Sequence, residues 1–179
     1  MRQDIERVLI TKEQIAAKVK EIAAEIKRDF GDEEIIMVCI LRGSLYFFAD
    51  LTKELDNDLM LEFMSVTSYG SGTTSSGEVR ILKDISRPLE NKNVIVVEDI
   101  IDTGNTLSYL KRILLERMPK KLKICSLLDK PSRREAEIEG DYVGFTIPNE
   151  FVVGYGLDYA QRYRNLPEVC VLKEEVYRK

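Results

Sequence analysis

The chain has 179 residues, 44% of them hydrophobic and 32% charged, with 27 basic and 31 acidic side chains and a net charge of −4. That length suits one compact domain with an ordinary core and argues against intrinsic disorder. The acidic balance argues against a general nucleic-acid binder, whose affinity rests on phosphate contacts, so any anion is bound by a local site. Three cysteines, Cys39, Cys125 and Cys170, sit in apolar runs without CxxC spacing and read as buried thiols rather than a disulfide framework. Histidine is absent, so acid–base chemistry falls to carboxylates, lysine or tyrosine. The N-terminus, Met1 to Ile10, is charged and unlike a signal peptide. The longest apolar runs are too short to cross a bilayer, and the chain reads as cytoplasmic with no membrane partner.

Thr11-Lys12-Glu13-Gln14 has the form of a capping box. Ile15, Val19, Ile22, Ile26 and Phe30 follow at steps of three and four, the stripe of an amphipathic helix that Gly31 ends. Ile35 to Leu41 reads as a strand buried on both faces. A helix over Leu45 to Leu55 and a strand over Leu59 to Val66 come next. The small, polar, glycine-rich stretch Tyr69 to Gly77 predicts a flexible loop. Further strands are expected at Val79 to Leu82 and Val94 to Val97, a helix from about Thr106 to Arg117, and strands at Leu122 to Leu128, Tyr142 to Phe145, Phe151 to Tyr155 and Val169 to Leu172. Alternating strands and helices without an internal repeat predict an α/β fold with a mostly parallel central sheet flanked by helices. Ligands then bind beyond the carboxyl ends of the strands.

The segment Val94 to Leu107 carries the most chemistry. A buried strand meets Glu98 and Asp99, then Asp102, then Thr103-Gly104-Asn105-Thr106 at the start of a helix. Free backbone N–H groups and the helix dipole favour a phosphate there. Gly104 permits close backbone approach, and the threonine hydroxyls can donate. Carboxylates accept hydrogen bonds and suit sugar hydroxyls, so cradle and acids together describe a ribose 5-phosphate site. Helix capping would account for one of these polar residues but not for three carboxylates beside a buried strand.

Glu98-Asp99-Ile100-Ile101-Asp102-Thr103-Gly104 resembles the phosphoribosyl pyrophosphate signature of hypoxanthine-guanine phosphoribosyltransferases, and further segments match in order from about Ile35 to Leu172. The resemblance implies a type I phosphoribosyltransferase fold over residues 1–179 as a single domain, with a small hood region and a flexible lid loop. It implies ribose and 5-phosphate contacts from Glu98, Asp99, Thr103, Gly104, Asn105 and Thr106. Leu41-Arg42-Gly43 resembles the family's pyrophosphate loop, which holds a non-proline cis peptide. Arg42 stands where lysine is frequent, and Arg42, Gly43 and Arg164 would bind pyrophosphate. Ser68 and Tyr69 match the lid. Lys130, in Leu127-Leu128-Asp129-Lys130-Pro131, matches a lysine donating to the purine 6-oxo group, whereas taken alone it reads as a solvated strand-end lysine. Ser132-Arg133-Arg134 reads as a solvated basic turn. Phe151 matches the aromatic that stacks on the base and Val152 a backbone contact to it. Glu98, Asp99 and Asp158 would serve magnesium, Asp158 through water. Asp102 would act as acid or base near purine N7.

The activity implied is transfer of the 5-phosphoribosyl group from phosphoribosyl pyrophosphate to hypoxanthine or guanine, giving IMP or GMP and pyrophosphate. The family usually forms dimers or tetramers, so a homodimer or homotetramer is expected. Two other readings stay open at this point: a regulatory protein on the same fold binding nucleotide or RNA, and an enzyme acting on xanthine, adenine or a pyrimidine. No GxxxxGK stretch supports an ordinary P-loop ATPase.

Overall fold

The computed structural model describes residues 1–68 and 79–178. A short 3-10 turn leads into β1 (Ile5–Ile10), then α1 (Lys12–Phe30). In α1 the expected capping box forms reciprocally between Thr11 and Gln14, and Gly31 closes the helix at φ 57°. Its buried face is the predicted stripe with Ala23 added. Then follow β2 (Ile35–Leu41), α2 (Leu45–Glu54), β3 (Leu59–Ser68), β4 (Val79–Lys83), β5 (Asn93–Ile101), α3 (Asn105–Leu115), β6 (Lys121–Asp129), β7 (Tyr142–Thr146), β8 (Val152–Val153), β9 (Val169–Leu172) and α4 (Glu174–Tyr177).

Six strands form the main sheet in the order β4-β3-β2-β5-β6-β7. All its pairings are parallel except β3 with the edge strand β4. Its central strands alternate between two cores, which is why they read as unbroken apolar runs. Ile35, Met37 and Cys39 of β2, Ile95 and Val97 of β5, and Cys125 and Leu127 of β6 pack with α1 and α2. Ile36, Val38, Ile40, Val94, Val96 and Ile124 face the opposite side and pack with Leu107, Leu110 and Leu114 of α3. All three cysteines are free and buried, as expected.

A second sheet, β1-β9-β8, is antiparallel. It contains a strand the sequence did not announce. β1 is mostly exposed, with charged residues at Glu6 and Arg7, so it lacks both the apolar run and the alternation that mark a strand. Pairing with the buried β9 makes it a strand.

Several predicted boundaries move. β5 runs to Ile101, so Glu98 and Asp99 lie within the strand rather than after it, held by pairing with β6 from Glu98↔Ser126 to Ile101↔Asp129. α3 stops at Leu115, two residues short of the expected Arg117, and Met118 has φ 53°. The expected strand over Phe151 to Tyr155 shrinks to β8, because Gly154 (φ 97°) and Tyr155 (φ 48°) turn the chain away.

Candidate active site

The strand order places β2, β5 and β6 side by side, so the loops leaving their carboxyl ends meet at one edge of the sheet. The Leu41–Arg42 peptide is cis, as the resemblance implied. Beyond it, Gly43 lies against Asp99, and a Cβ on Gly43 would fall 1.6 Å from Asp99 Oδ2. Gly156 packs on Gly43 in turn: a Cβ there would fall 1.8 Å from the Gly43 carbonyl oxygen, and Gly156 has φ +103°. Glycine is required at this crossing for space as well as for backbone conformation.

Around it, Arg42 and Arg164 both donate to the side-chain oxygen of Gln161, at 3.1 and 3.2 Å. Arg164 also donates to the Gly156 carbonyl at 2.7 Å and lies 2.8 Å from Asp158 Oδ1. The other oxygen of Asp158 accepts from the Gln161 N–H at 2.8 Å. Both Asp158 oxygens are thus engaged within the loop. The same loop holds Tyr155, Ala160, Gln161 and Tyr163 in left-handed backbone, an uncommon concentration for residues other than glycine.

Glu98 and Asp99 lie near the end of the β5 ladder and are half-buried. Burial and the adjacent Asp99 carboxylate hold the Glu98 carboxyl well above its usual range. Burial raises Asp99 to about 6; the Ile100 N–H and the Arg164 guanidinium oppose this, while Asp158 adds to it. Two like-charged carboxyls desolvated together call for a cation or for hydroxyl donors.

Five residues after Asp99, Gly104 caps α3 in left-handed backbone at φ 83°, with no side chain of its own to occupy the first N–H groups of the helix. Thr103 and Thr106 are half-buried, whereas Asn105 is exposed and donates to Glu135 at 2.7 Å. Thr103 is fixed through its carbonyl, which accepts from the N–H groups of Glu135 and Ala136 at 2.9 and 3.1 Å. A Cβ on Gly104 would meet Ile138 at 2.4 Å, so the residues after β6 brace this turn from behind.

Beside the cradle is a cavity of about 410 Å³ whose lining includes Ile100, Asp102, Lys130, Phe151, Val152 and Leu157. The sequence-predicted base-binding residues therefore converge. Lys130 is not a solvated strand-end lysine; it is only 7% exposed. Its backbone N–H donates to the Ile101 carbonyl and its ammonium to the Glu150 carbonyl, each at 2.9 Å. Burial pulls its pKa below the usual lysine range; Arg133 adds to this, while Asp102 and Glu150 oppose it. Asp102 Oδ1 is buried and accepts no hydrogen bond, although Arg133 Nε lies 2.9 Å away. Phe151 stands at the rim, 36% exposed, while Val152 is buried.

The basic turn also departs from expectation. Ser132 and Arg133 are exposed, but the Arg133 guanidinium faces Asp102 and lines the cavity, and Arg134 is half-buried and pairs with Asp129. Asn149, Glu150, Tyr177 and Arg178 also line it and were not singled out from the sequence. Nothing in their local pattern separates them from ordinary surface polar residues. Of the predicted lid, Ser68 ends β3, and Tyr69 with the rest of that loop lies outside the described residues.

Residues 9–160 match the family model described as the phosphoribosyl transferase domain. The chain is 52% identical to the hypoxanthine-guanine phosphoribosyltransferase of Bacillus subtilis, over 99% of this chain and 98% of that protein. Its fold superposes on the crystal structure of a hypoxanthine phosphoribosyltransferase from Staphylococcus aureus with a TM-score of 0.95, at 48% identity over 99% of this chain and 96% of that one. It also matches a hypoxanthine-guanine phosphoribosyltransferase structure from Bacillus anthracis at TM-score 0.91 and 50% identity, covering 94% and 99% of the two chains. The chain belongs to the phosphoribosyl transferase domain family, in its hypoxanthine-guanine branch.

Proposed function

We propose that this protein transfers the 5-phosphoribosyl group of phosphoribosyl pyrophosphate to hypoxanthine or guanine, forming IMP or GMP and releasing pyrophosphate, as a step of purine salvage. The observation that carries this reading is the convergence of Asp102, Lys130, Phe151 and Val152 around one cavity beside the glycine-capped start of α3. The whole of residues 1–179 serves this activity as a single domain in the cytoplasm, as a homodimer or homotetramer.

The N–H groups at the start of α3, with Thr103, Gly104, Asn105 and Thr106, receive the 5-phosphate, and Glu98 and Asp99 accept from the ribose hydroxyls. Arg42, the Gly43 backbone and Arg164 receive pyrophosphate; the existing contacts of both guanidiniums to Gln161 place them on one side of Gly43. In the cavity the Lys130 ammonium keeps protons beyond the one given to Glu150 and donates to the 6-oxo group. An amino group there offers no acceptor in its place, so adenine is disfavoured. Phe151 stacks on the base and the Val152 backbone meets its edge. The reaction breaks the bond from the anomeric carbon to the pyrophosphate oxygen and forms one to a purine ring nitrogen, through an oxocarbenium-like state. Asp102 Oδ1, which accepts no hydrogen bond within the protein although Arg133 Nε lies 2.9 Å away, is the group that would take or share the proton at N7 and steady positive charge developing on the base.

Magnesium fits the donor set: Glu98 and Asp99 are carboxyls raised chiefly by burial, Glu98 also by the adjacent Asp99 and Asp99 also by Asp158, and this ion prefers one or two carboxylates together with phosphate oxygens. Asp158 would join through water, its own oxygens being engaged by Arg164 and Gln161. When bound, the ion neutralises charge on the leaving pyrophosphate. Ser68 and Tyr69 would close over the site and exclude water.

The test is nucleotide formation from phosphoribosyl pyrophosphate with each purine base, with and without magnesium. IMP and GMP formed only with magnesium, and no AMP, is the expected result. Activity with xanthine would widen the specificity. No product with any base, together with binding of the ribosyl substrate or a nucleotide, would replace this reading by a regulatory one.

A further inference from the structure

Phe151 is held in an unusual way. It stands at the cavity rim, 36% exposed, with two tyrosines as aromatic neighbours. Tyr159 meets it edge-on, with ring centroids 5.6 Å apart at 89°. Tyr177 stacks on it, with centroids 4.6 Å apart at 21°. Tyr177 comes from α4, a single four-residue turn too short to be stable alone. What fixes α4 is tertiary: the Lys173 N–H donates to the Asp4 carbonyl at 3.0 Å, and Val176 and Tyr177 pack on the small core of Val153, Tyr163, Leu166, Cys170 and Leu172. Tyr177 also lines the cavity that holds Lys130 and Asp102.

We propose that Tyr177 is a positioning residue for the base. By stacking on Phe151 it sets the plane of that ring, and so the face presented to the purine. The inference rests on the phosphoribosyl-transfer reading. A half-exposed ring at the rim turns about χ1 and χ2 at little cost unless a partner restrains it. The second sheet and α4 thereby contribute to base binding through one aromatic contact. The hydroxyl of Tyr177 has no part in this, since ring stacking requires only the ring.

Steady-state kinetics on the full chain test it, with hypoxanthine and phosphoribosyl pyrophosphate varied in turn for the wild type, Tyr177→Ala, Tyr177→Leu and Tyr177→Phe. Alanine and leucine are expected to raise KM for hypoxanthine by about two- to tenfold, with kcat and KM for phosphoribosyl pyrophosphate within twofold of wild type. Phenylalanine restores KM to within about twofold of wild type. Unchanged KM for hypoxanthine in the alanine and leucine variants overturns the proposal. So does an equal change in all three parameters, which signals general loosening, and so does a fall in KM, which means that Tyr177 occupies the place of the base. Failure of the phenylalanine variant to recover assigns the effect to the hydroxyl and also overturns it. A wild-type protein that makes no nucleotide refutes the transfer reading instead.

Discussion

Replacing Lys130 by methionine isolates the proposed origin of base selectivity. The side chain keeps its length and apolar stem but loses its ammonium, which in the native protein is 7% exposed and donates to the Glu150 carbonyl at 2.9 Å. A hydrogen bond from a charged donor contributes about 1.5 to 3 kcal/mol net. At about 1.36 kcal/mol per tenfold, loss of the bond to the 6-oxo group lowers kcat/KM for hypoxanthine and guanine by roughly 10- to 150-fold. Stability should hold, because removing a desolvated charge offsets the loss of a donor to Glu150. The assay is initial-rate kinetics with hypoxanthine, guanine and adenine at saturating phosphoribosyl pyrophosphate and magnesium, with a melting curve for each protein. Hypoxanthine should suffer while KM for phosphoribosyl pyrophosphate stays within about twofold, and the preference over adenine should narrow by the same factor. A fall below about threefold for hypoxanthine, or an equal loss with phosphoribosyl pyrophosphate, would refute the reasoning.

Asp102→Asn should lower kcat by about 100-fold or more while largely sparing binding of phosphoribosyl pyrophosphate, since the amide cannot carry the proton; near-normal turnover would remove Asp102 from its role. Asp99→Asn should melt at a higher temperature than wild type in metal-free buffer at pH 8, though with impaired catalysis. Its folded pKa is raised from 3.8 to about 6, so the stability it contributes is present at low pH and is lost as the pH rises through about 6. The advantage of the amide is at most about 3 kcal/mol at pH 8 and vanishes near pH 4; a wild type that melts higher at pH 8 would contradict it. Gly156→Ala forces a Cβ to within 1.8 Å of the Gly43 carbonyl at φ +103°, so calorimetry should show a loss of several degrees, and pyrophosphate inhibition should weaken with it. An unperturbed melt would mean that the two loops separate readily.

The central sheet was legible in the sequence because both of its faces are buried. Ile35 to Leu41 must be apolar at every position when odd and even residues enter different cores. The capping box and stripe of α1 are local signals that do not depend on the rest of the chain. The acidic segment was legible for a similar reason, since strand, carboxylates, glycine and helix start lie within fourteen residues. What the sequence could not decide is what distant segments do to one another. β1 is a strand only because β9 pairs with it, and Lys130 is buried because the Glu150 carbonyl meets its ammonium. Arg133 turns to Asp102 across a loop, and Tyr177 reaches Phe151 from the far end of the chain. Each of these depends on a contact between residues close in space but not in local pattern. Sequence periodicity reports which face of an element is buried, and only the packed fold decides what each face is buried against.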